Sequence, residues 1–360
     1  MKQVLFVFFF ACNLSFGQEL ERIHGIETRG KIGFLLPHRP VMHHLLQGHS
    51  RAFEASYVIQ TNGNEEWQQS FRLPRWGGTA YFSDFGNPEQ LGWAGGAYLF
   101  GELPIVRVNK FAFMAKLGGG LAYVSKKYDK VINPKNNSIG SHWNSLIVVG
   151  VATNYQLKQS ELSLGLDMTH LSNGATVLPN LGINVPYLSL GYTHYLKNIV
   201  YKDEPLPMSS HIAALDKWQL NVMGIVSTKQ IYPTGGRNYL VSSLGIFATK
   251  KFSRKAGMDL GLDIIYNGSL KDRAVEIENV TVIEAVQVGL FAGYFIPINR
   301  LRVLLGMGYY IKDNFSPEGP FYHRLAVRYK LTEKWNIHFG IKSHWGKADY
   351  IEYGIFYKIK

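Results

Sequence analysis

The chain has one cysteine, Cys12, in 360 residues, so no internal disulfide framework holds it together. Charged residues make up only 18%, where soluble domains carry about 25%. Beyond the N-terminus no run of about 18 apolar residues occurs, which excludes transmembrane helices. Aromatics and glycine are plentiful instead, with 21 Tyr, 21 Phe and 37 Gly. Few charges, many rings and many glycines suit a protein whose strands turn one face to lipid.

At the N-terminus Lys2 precedes an apolar run from Val4 to Ala11, with small residues at Ser15 and Gly17. That pattern reads as a secretory signal over residues 1–17, whose cleavage leaves Gln18 first and removes Cys12. Phe9, Phe10 and Ala11 fit a lipoprotein cleavage box poorly, so Cys12 is not read as a lipid attachment site. A mature chain without thiols suits an oxidising compartment. The net charge of +12 favours anionic partners. Outside the cell these are lipopolysaccharide phosphates rather than nucleic acid.

Successive side chains of a strand point to opposite faces, so a barrel strand crossing a membrane alternates apolar and polar residues over about 9 to 11 positions. From Ala256 to Tyr266, Ala256, Met258, Leu260, Leu262, Ile264 and Tyr266 alternate with a row that carries Asp259 and Asp263. Trp335, Ile337, Phe339 and Ile341 alternate with Asn336, His338, Gly340 and Lys342. The last segment ends with Glu352, Gly354, Tyr357 and Ile359, which resembles the C-terminal signal read by the barrel-assembly machinery.

Such segments predict strands near 51–61, 66–73, 76–83, 92–103, 108–124, 142–157, 160–172 and 184–197. A second set follows near 217–228, 238–251, 255–268, 281–296, 299–312, 320–331, 334–345 and 348–359. Short links alternate with longer ones, as periplasmic turns alternate with external loops in a bacterial outer-membrane barrel. The fold class is therefore an all-β transmembrane antiparallel β-barrel. Residues 198–216, with Pro205 and Pro207, form a linker that divides the strands eight and eight. Two forms stay open: one barrel of about 14–16 strands, favoured because single-chain barrels are the rule, or two eight-stranded barrels in tandem. A wide lumen needs filling, and residues 18–50 are read as an N-terminal plug or periplasmic segment. Its His38, His43, His44 and His49 have no cysteine or carboxylate at ligand spacing, so they are read as ordinary histidines and no metal is expected.

The segment 160–172 carries the chemistry. Leu162, Leu164, Leu166 and Met168 form a lipid-facing row that continues with the same parity into His170 and Ser172. On the following strand Pro186, Leu188, Leu190 and Tyr192 continue the lipid row, and counting back reaches Asn184. Polar residues at strand ends also sit simply among headgroups. A Ser hydroxyl beside an imidazole, however, can be deprotonated to attack an ester carbonyl while a third group orients the imidazole.

His170, Leu171, Ser172, Asn173 and Gly174, followed by Pro179, Asn180, Leu181 and Gly182, resemble the active-site region of the PagL-type lipid A 3-O-deacylases. That family's motif is His-x-Ser-Asn, then a Pro-Asn-x-Gly turn into the next strand. The resemblance is specific around 165–195 and looser over about 50–197, and the usual members lack residues 217–360. It implies Ser172 as nucleophile and His170 as general base, acting without cofactor on the ester-linked acyl chain at position 3 of lipid A. It departs at the third member, a Glu in the family and Asn184 here. An amide oxygen can orient an imidazole but cannot stabilise the imidazolium by charge. Asp167 has the wrong parity to replace it, and Glu161 lies at the far end of the strand. Asn173 and Gly174 are candidates for oxyanion contacts or for an ordinary turn. Lys126, Lys127, Lys130 and Lys135 are candidates for lipid A phosphates or for a solvated loop. Gly118, Gly119 and Gly120 relieve barrel curvature rather than cradle phosphate.

Two classes of function follow. One is an outer-membrane esterase acting on lipid A or another acylated membrane lipid. The other is a catalytically weak or inactive barrel serving as a pore or surface structure, a reading motivated by Asn184 and the second set of strands.

Overall fold

A computed structural model describes residues 22–198, 217–273, 280–315 and 318–360. The signal reading at 1–17 and nearly all of the linker reading at 198–216 lie outside these residues. No helix among the described residues is long and apolar enough to cross a membrane, which says nothing of crossing by strands.

The first eight strands are β1 (Ile23–Phe34), β2 (His49–Gln60), β3 (Arg75–Asp84), β4 (Trp93–Val108), β5 (Phe111–Val124), β6 (Trp143–Gln156), β7 (Ser160–Ser172) and β8 (Ile183–Tyr195). Each pairs antiparallel with the next, and β8 returns to β1, so the barrel closes after eight. The second eight are β9 (Gln219–Lys229), β10 (Tyr239–Ser253), β11 (Ala256–Asn267), β12 (Val286–Ile298), β13 (Leu301–Lys312), β14 (Phe321–Lys330), β15 (Trp335–His344) and β16 (Lys347–Lys358). They close separately through β16 and β9. The chain thus takes the tandem form and not the single wide barrel.

Two readings of the first half are corrected. The plug read over 18–50 is not formed by the described residues 22–50, because Ile23–Phe34 is a wall strand held between β2 and β8. Its charges misled: Glu27, Arg29 and Lys31 are all buried on the inward row, while Ile26, Ile32 and Phe34 are exposed on the outward one. The strand expected at 66–73 is instead the short helix α1 (Glu66–Ser70) in the link between β2 and β3. One missed strand and one spurious strand cancelled, which left the count at eight.

Eight strands enclose a lumen just wide enough for side chains, and here they fill it with ion pairs. In the first barrel Arg75 reaches Glu102 and Glu161 at 2.5 Å each and Glu27 at 3.2 Å, and Lys31 pairs with Glu54 at 2.6 Å and Asp167 at 2.9 Å. In the second, Arg324 holds Asp263 at 3.0 Å and Glu352 at 2.7 Å, His338 meets Glu352 at 3.0 Å, and Arg328 pairs with Asp259. The outer walls carry exposed apolar rows, among them Leu164, Leu166, Leu188 and Leu190 on the first barrel and Leu244, Leu290, Leu305 and Phe339 on the second. Charge inside and hydrocarbon outside is the arrangement lipid demands.

Candidate active site on the outer wall of the first barrel

Strand β7 sends Leu162, Leu164 and Leu166 outward and Glu161, Ser163, Asp167 and Thr169 into the lumen. The outward parity runs on through His170 to Ser172 at the rim. On β8, Asn184 is the register partner of His170 and shares its face with Leu188, Leu190 and Tyr192. Three polar side chains thus stand together on a wall that is otherwise apolar.

They are joined by hydrogen bonds. His170 Nε2 lies 2.9 Å from Ser172 Oγ, and its Nδ1 lies 2.6 Å from Asn184 Oδ1. If the serine hydroxyl donates to Nε2, the ring proton must sit on Nδ1 and point at the amide oxygen. That tautomer is the one a general base needs. Ser172 is only 4% exposed, so its hydroxyl is shielded from bulk water. Asp167 and Glu161 face the lumen, paired to Lys31 and Arg75, and neither serves the histidine.

The loop between β7 and β8 fixes this geometry. Gly182 adopts φ +83°, and a Cβ there would lie 2.9 Å from His170 Cε1, so only glycine lets the ring sit where it does. The Gly182 N–H donates to the Ser138 carbonyl at 2.9 Å. Asn180 Oδ1 accepts the Asn173 N–H at 2.9 Å, and the Asn173 amide donates to Ser141 Oγ at 2.8 Å and the Val177 carbonyl at 2.9 Å. The Asn173 donors thus brace the loop. Gly174 has φ +60°, and a Cβ on it would meet Ile351 of β16 at 2.3 Å.

The second barrel also grips this loop through Gln230, just after β9. Its N–H donates to the Ala175 carbonyl at 2.8 Å, and its Oε1 accepts the Leu178 N–H at 2.9 Å. Lys126, Lys127, Lys130 and Lys135 lie exposed in the link between β5 and β6, at the same rim. Lys126 Nζ donates to the Glu89 carbonyl at 2.9 Å, and the Lys135 carbonyl lies 2.8 Å from His44 Nε2. Gly118, Gly119 and Gly120 lie inside β5. Among the described residues no group of three metal-ligating side chains converges.

One neighbour was not expected from the sequence. His38, in the link between β1 and β2, places Nδ1 3.0 Å from Asn184 Nδ2. The Leu36 N–H donates to the Asn184 carbonyl at 2.8 Å, so the same short segment holds this residue by backbone and side chain. Nothing local in the sequence marks His38, since the contact spans 146 positions.

Residues 51–193 match the family model described as lipid A 3-O-deacylase (PagL), and residues 217–360 match that described as acyloxyacyl hydrolase, C-terminal domain. The first match falls within the first barrel, from β2 to β8, the second spans the second barrel, and together they span most of the chain. No curated relative matches. Among solved structures, a triple and a double mutant of the Rhodopseudomonas blastica porin align at 10% and 9% identity. They cover 94% of this chain and 100% of theirs, with TM-scores of 0.20 and 0.19, a likeness too slight to argue from.

Proposed function

The chain belongs to the PagL family, and from that premise we propose that it is an outer-membrane esterase removing the acyl chain at position 3 of lipid A. The observation that carries the reading is the hydrogen-bonded row Ser172, His170, Asn184 on the lipid-facing wall at the rim of long loops. A nucleophile on that wall meets acyl esters in the leaflet, whereas a lumenal one would not.

In this reading Ser172 Oγ attacks the ester carbonyl as its proton passes to His170 Nε2. The carbon–oxygen bond to the sugar then breaks, and the sugar oxygen leaves with that proton. Water, deprotonated in turn by His170, attacks the acyl-serine and releases the fatty acid. Asn184 orients the imidazole throughout, and no cofactor enters. The Gly174 N–H is the remaining backbone candidate for the oxyanion. The exposed lysines of the link between β5 and β6 face the side from which lipid A phosphates approach, and the C-terminal strand addresses the barrel-assembly machinery.

The pore reading is disfavoured by both lumens, where buried ion pairs such as Arg75 with Glu161 and Arg324 with Glu352 occupy the axis. Mass spectrometry of lipid A from cells expressing the wild type or Ser172→Ala tests the proposal. The wild type should yield lipid A lighter by one hydroxyacyl chain and the variant should not; identical profiles would sink it.

A further inference from the structure

The weak point of this site is that Asn184 is an amide. A carboxylate offers the imidazole an acceptor whichever way it turns, but an amide has one accepting end and one donating end. With Oδ1 toward His170, the ring keeps its proton on Nδ1 and leaves Nε2 free as a base. With Nδ2 toward His170, the ring must accept there, its proton moves to Nε2, and it can no longer take the Ser172 proton. In the serine-protease example an amide in the acid's place leaves geometry intact and costs about 10⁴ in turnover, through the wrong tautomer.

We infer that His38 is a positioning residue of this site, one whose neutral Nδ1 accepts from Asn184 Nδ2 and so holds the amide in the productive orientation. This rests on the esterase reading above and deepens it. Two observations support it. The Nδ1 to Nδ2 distance is 3.0 Å, and the opposite end of the amide is 2.6 Å from His170. The Leu36 N–H bond to the Asn184 carbonyl anchors the segment independently of the His38 side chain.

The arrangement makes the site sensitive to acid. Partial burial and then the Arg39 guanidinium hold His38 below the usual imidazole range, against an opposing pull from the Leu36 backbone, so the ring is neutral near pH 7. The titratable and charged groups that face it are Arg39 on its own segment and His170 on β7; β8 presents the uncharged Asn184. As pH falls through that lowered range, Nδ1 gains a proton, becomes a donor and favours the unproductive amide orientation.

A double-mutant cycle with the purified full-length protein in lipid A micelles tests this. His38→Ala should lower kcat about tenfold, the scale of one oriented hydrogen bond, with KM nearly unchanged. In the isosteric Asn184→Asp background, where no orientation needs selecting, His38→Ala should change kcat by less than twofold. His38→Gln, which supplies a non-titrating acceptor, should restore turnover and shift the acid limb of the pH profile. An equal loss in both backgrounds, or no loss beside Asn184, overturns the inference. Rates of Ser172 phosphonylation by a lipophilic fluorophosphonate, read as mass gain, give the same comparison without lipid A. Labelling without lipid A hydrolysis would refute the substrate and leave the His38 test intact, whereas no labelling of the wild type would overturn both.

Discussion

The two barrels share a plan and differ in one patch of wall. Both close after eight strands, carry apolar outer rows and fill their lumens with ion pairs. At the long-loop rim the second barrel even sets a histidine opposite a serine, since His323 of β14 is the register partner of Ser343 on β15. There the resemblance stops. Among the described residues no hydrogen bond joins the two; the His323 ring instead packs edge-on against Trp345 at 5.0 Å. The link after β15 is two residues long, where β7 is followed by a loop that brings Gly182 against His170 and precedes Asn184. A lipid-facing His and Ser become a candidate catalytic pair only when a third group and a shaped loop orient the ring.

The sharpest way to break that comparison is to remove each histidine. His170→Ala should reduce kcat for lipid A deacylation by about 10⁴ or more, as loss of a triad base does elsewhere. His323→Ala should leave turnover unchanged. A comparable loss from His323→Ala would mean that the second barrel takes part in the chemistry.

Below that in size come the lumens. Arg324→Ala leaves Asp263 and Glu352 buried without their guanidinium, and Arg75→Ala does the same to Glu27, Glu102 and Glu161. Each should cost about 3 to 5 kcal/mol in reversible unfolding from detergent. Only Arg75→Ala should also lower deacylation at temperatures where both variants stay folded, because it loosens the barrel that carries the site. Equal effects on turnover would deny the barrels separate roles.

Parity made much of this legible from sequence. Alternation along β7 and β8 reads directly as inward and outward rows, which puts His170, Ser172 and Asn184 on one wall from sequence alone. Parity names the face, however, and not the neighbour. Whether β8 pairs with β1 or with β9 depends on hydrogen bonds between distant segments, so one barrel and two remained open. β1 does not stand out in the sequence because Glu27, Arg29 and Lys31 look like a solvated run until the lumen supplies their partners. His38 is equally unmarked in the sequence, its partner being far along the chain.

A smaller effect concerns the third position of the site. Asn184→Glu restores a negative group beside the imidazolium formed during attack and should raise kcat at least tenfold, well short of the full factor of about 10⁴ seen for an acid in this role. Steady-state hydrolysis of purified lipid A reads it. No gain would mean that orientation of the ring, already supplied by the amide, is all the site requires.

The smallest effect asks whether the second barrel does more than stand beside the first. Gln230 accepts the Leu178 N–H through its side chain and donates its own N–H to the Ala175 carbonyl, so Gln230→Ala removes one of these bonds and spares the other. Hydrogen exchange over residues 174–182 should quicken about tenfold, the worth of one neutral hydrogen bond, while exchange in β7 and β8 stays as it was. Turnover should change only a few-fold, because Gly182 and the Asn173 braces still hold the ring and loop. Gly174→Ala makes a harsher companion: φ +60° strains alanine there, and the added carbon would run into Ile351. If neither variant alters exchange in the loop, the second barrel does not brace the site, and its pairing with the first must be explained by something other than the chemistry at Ser172.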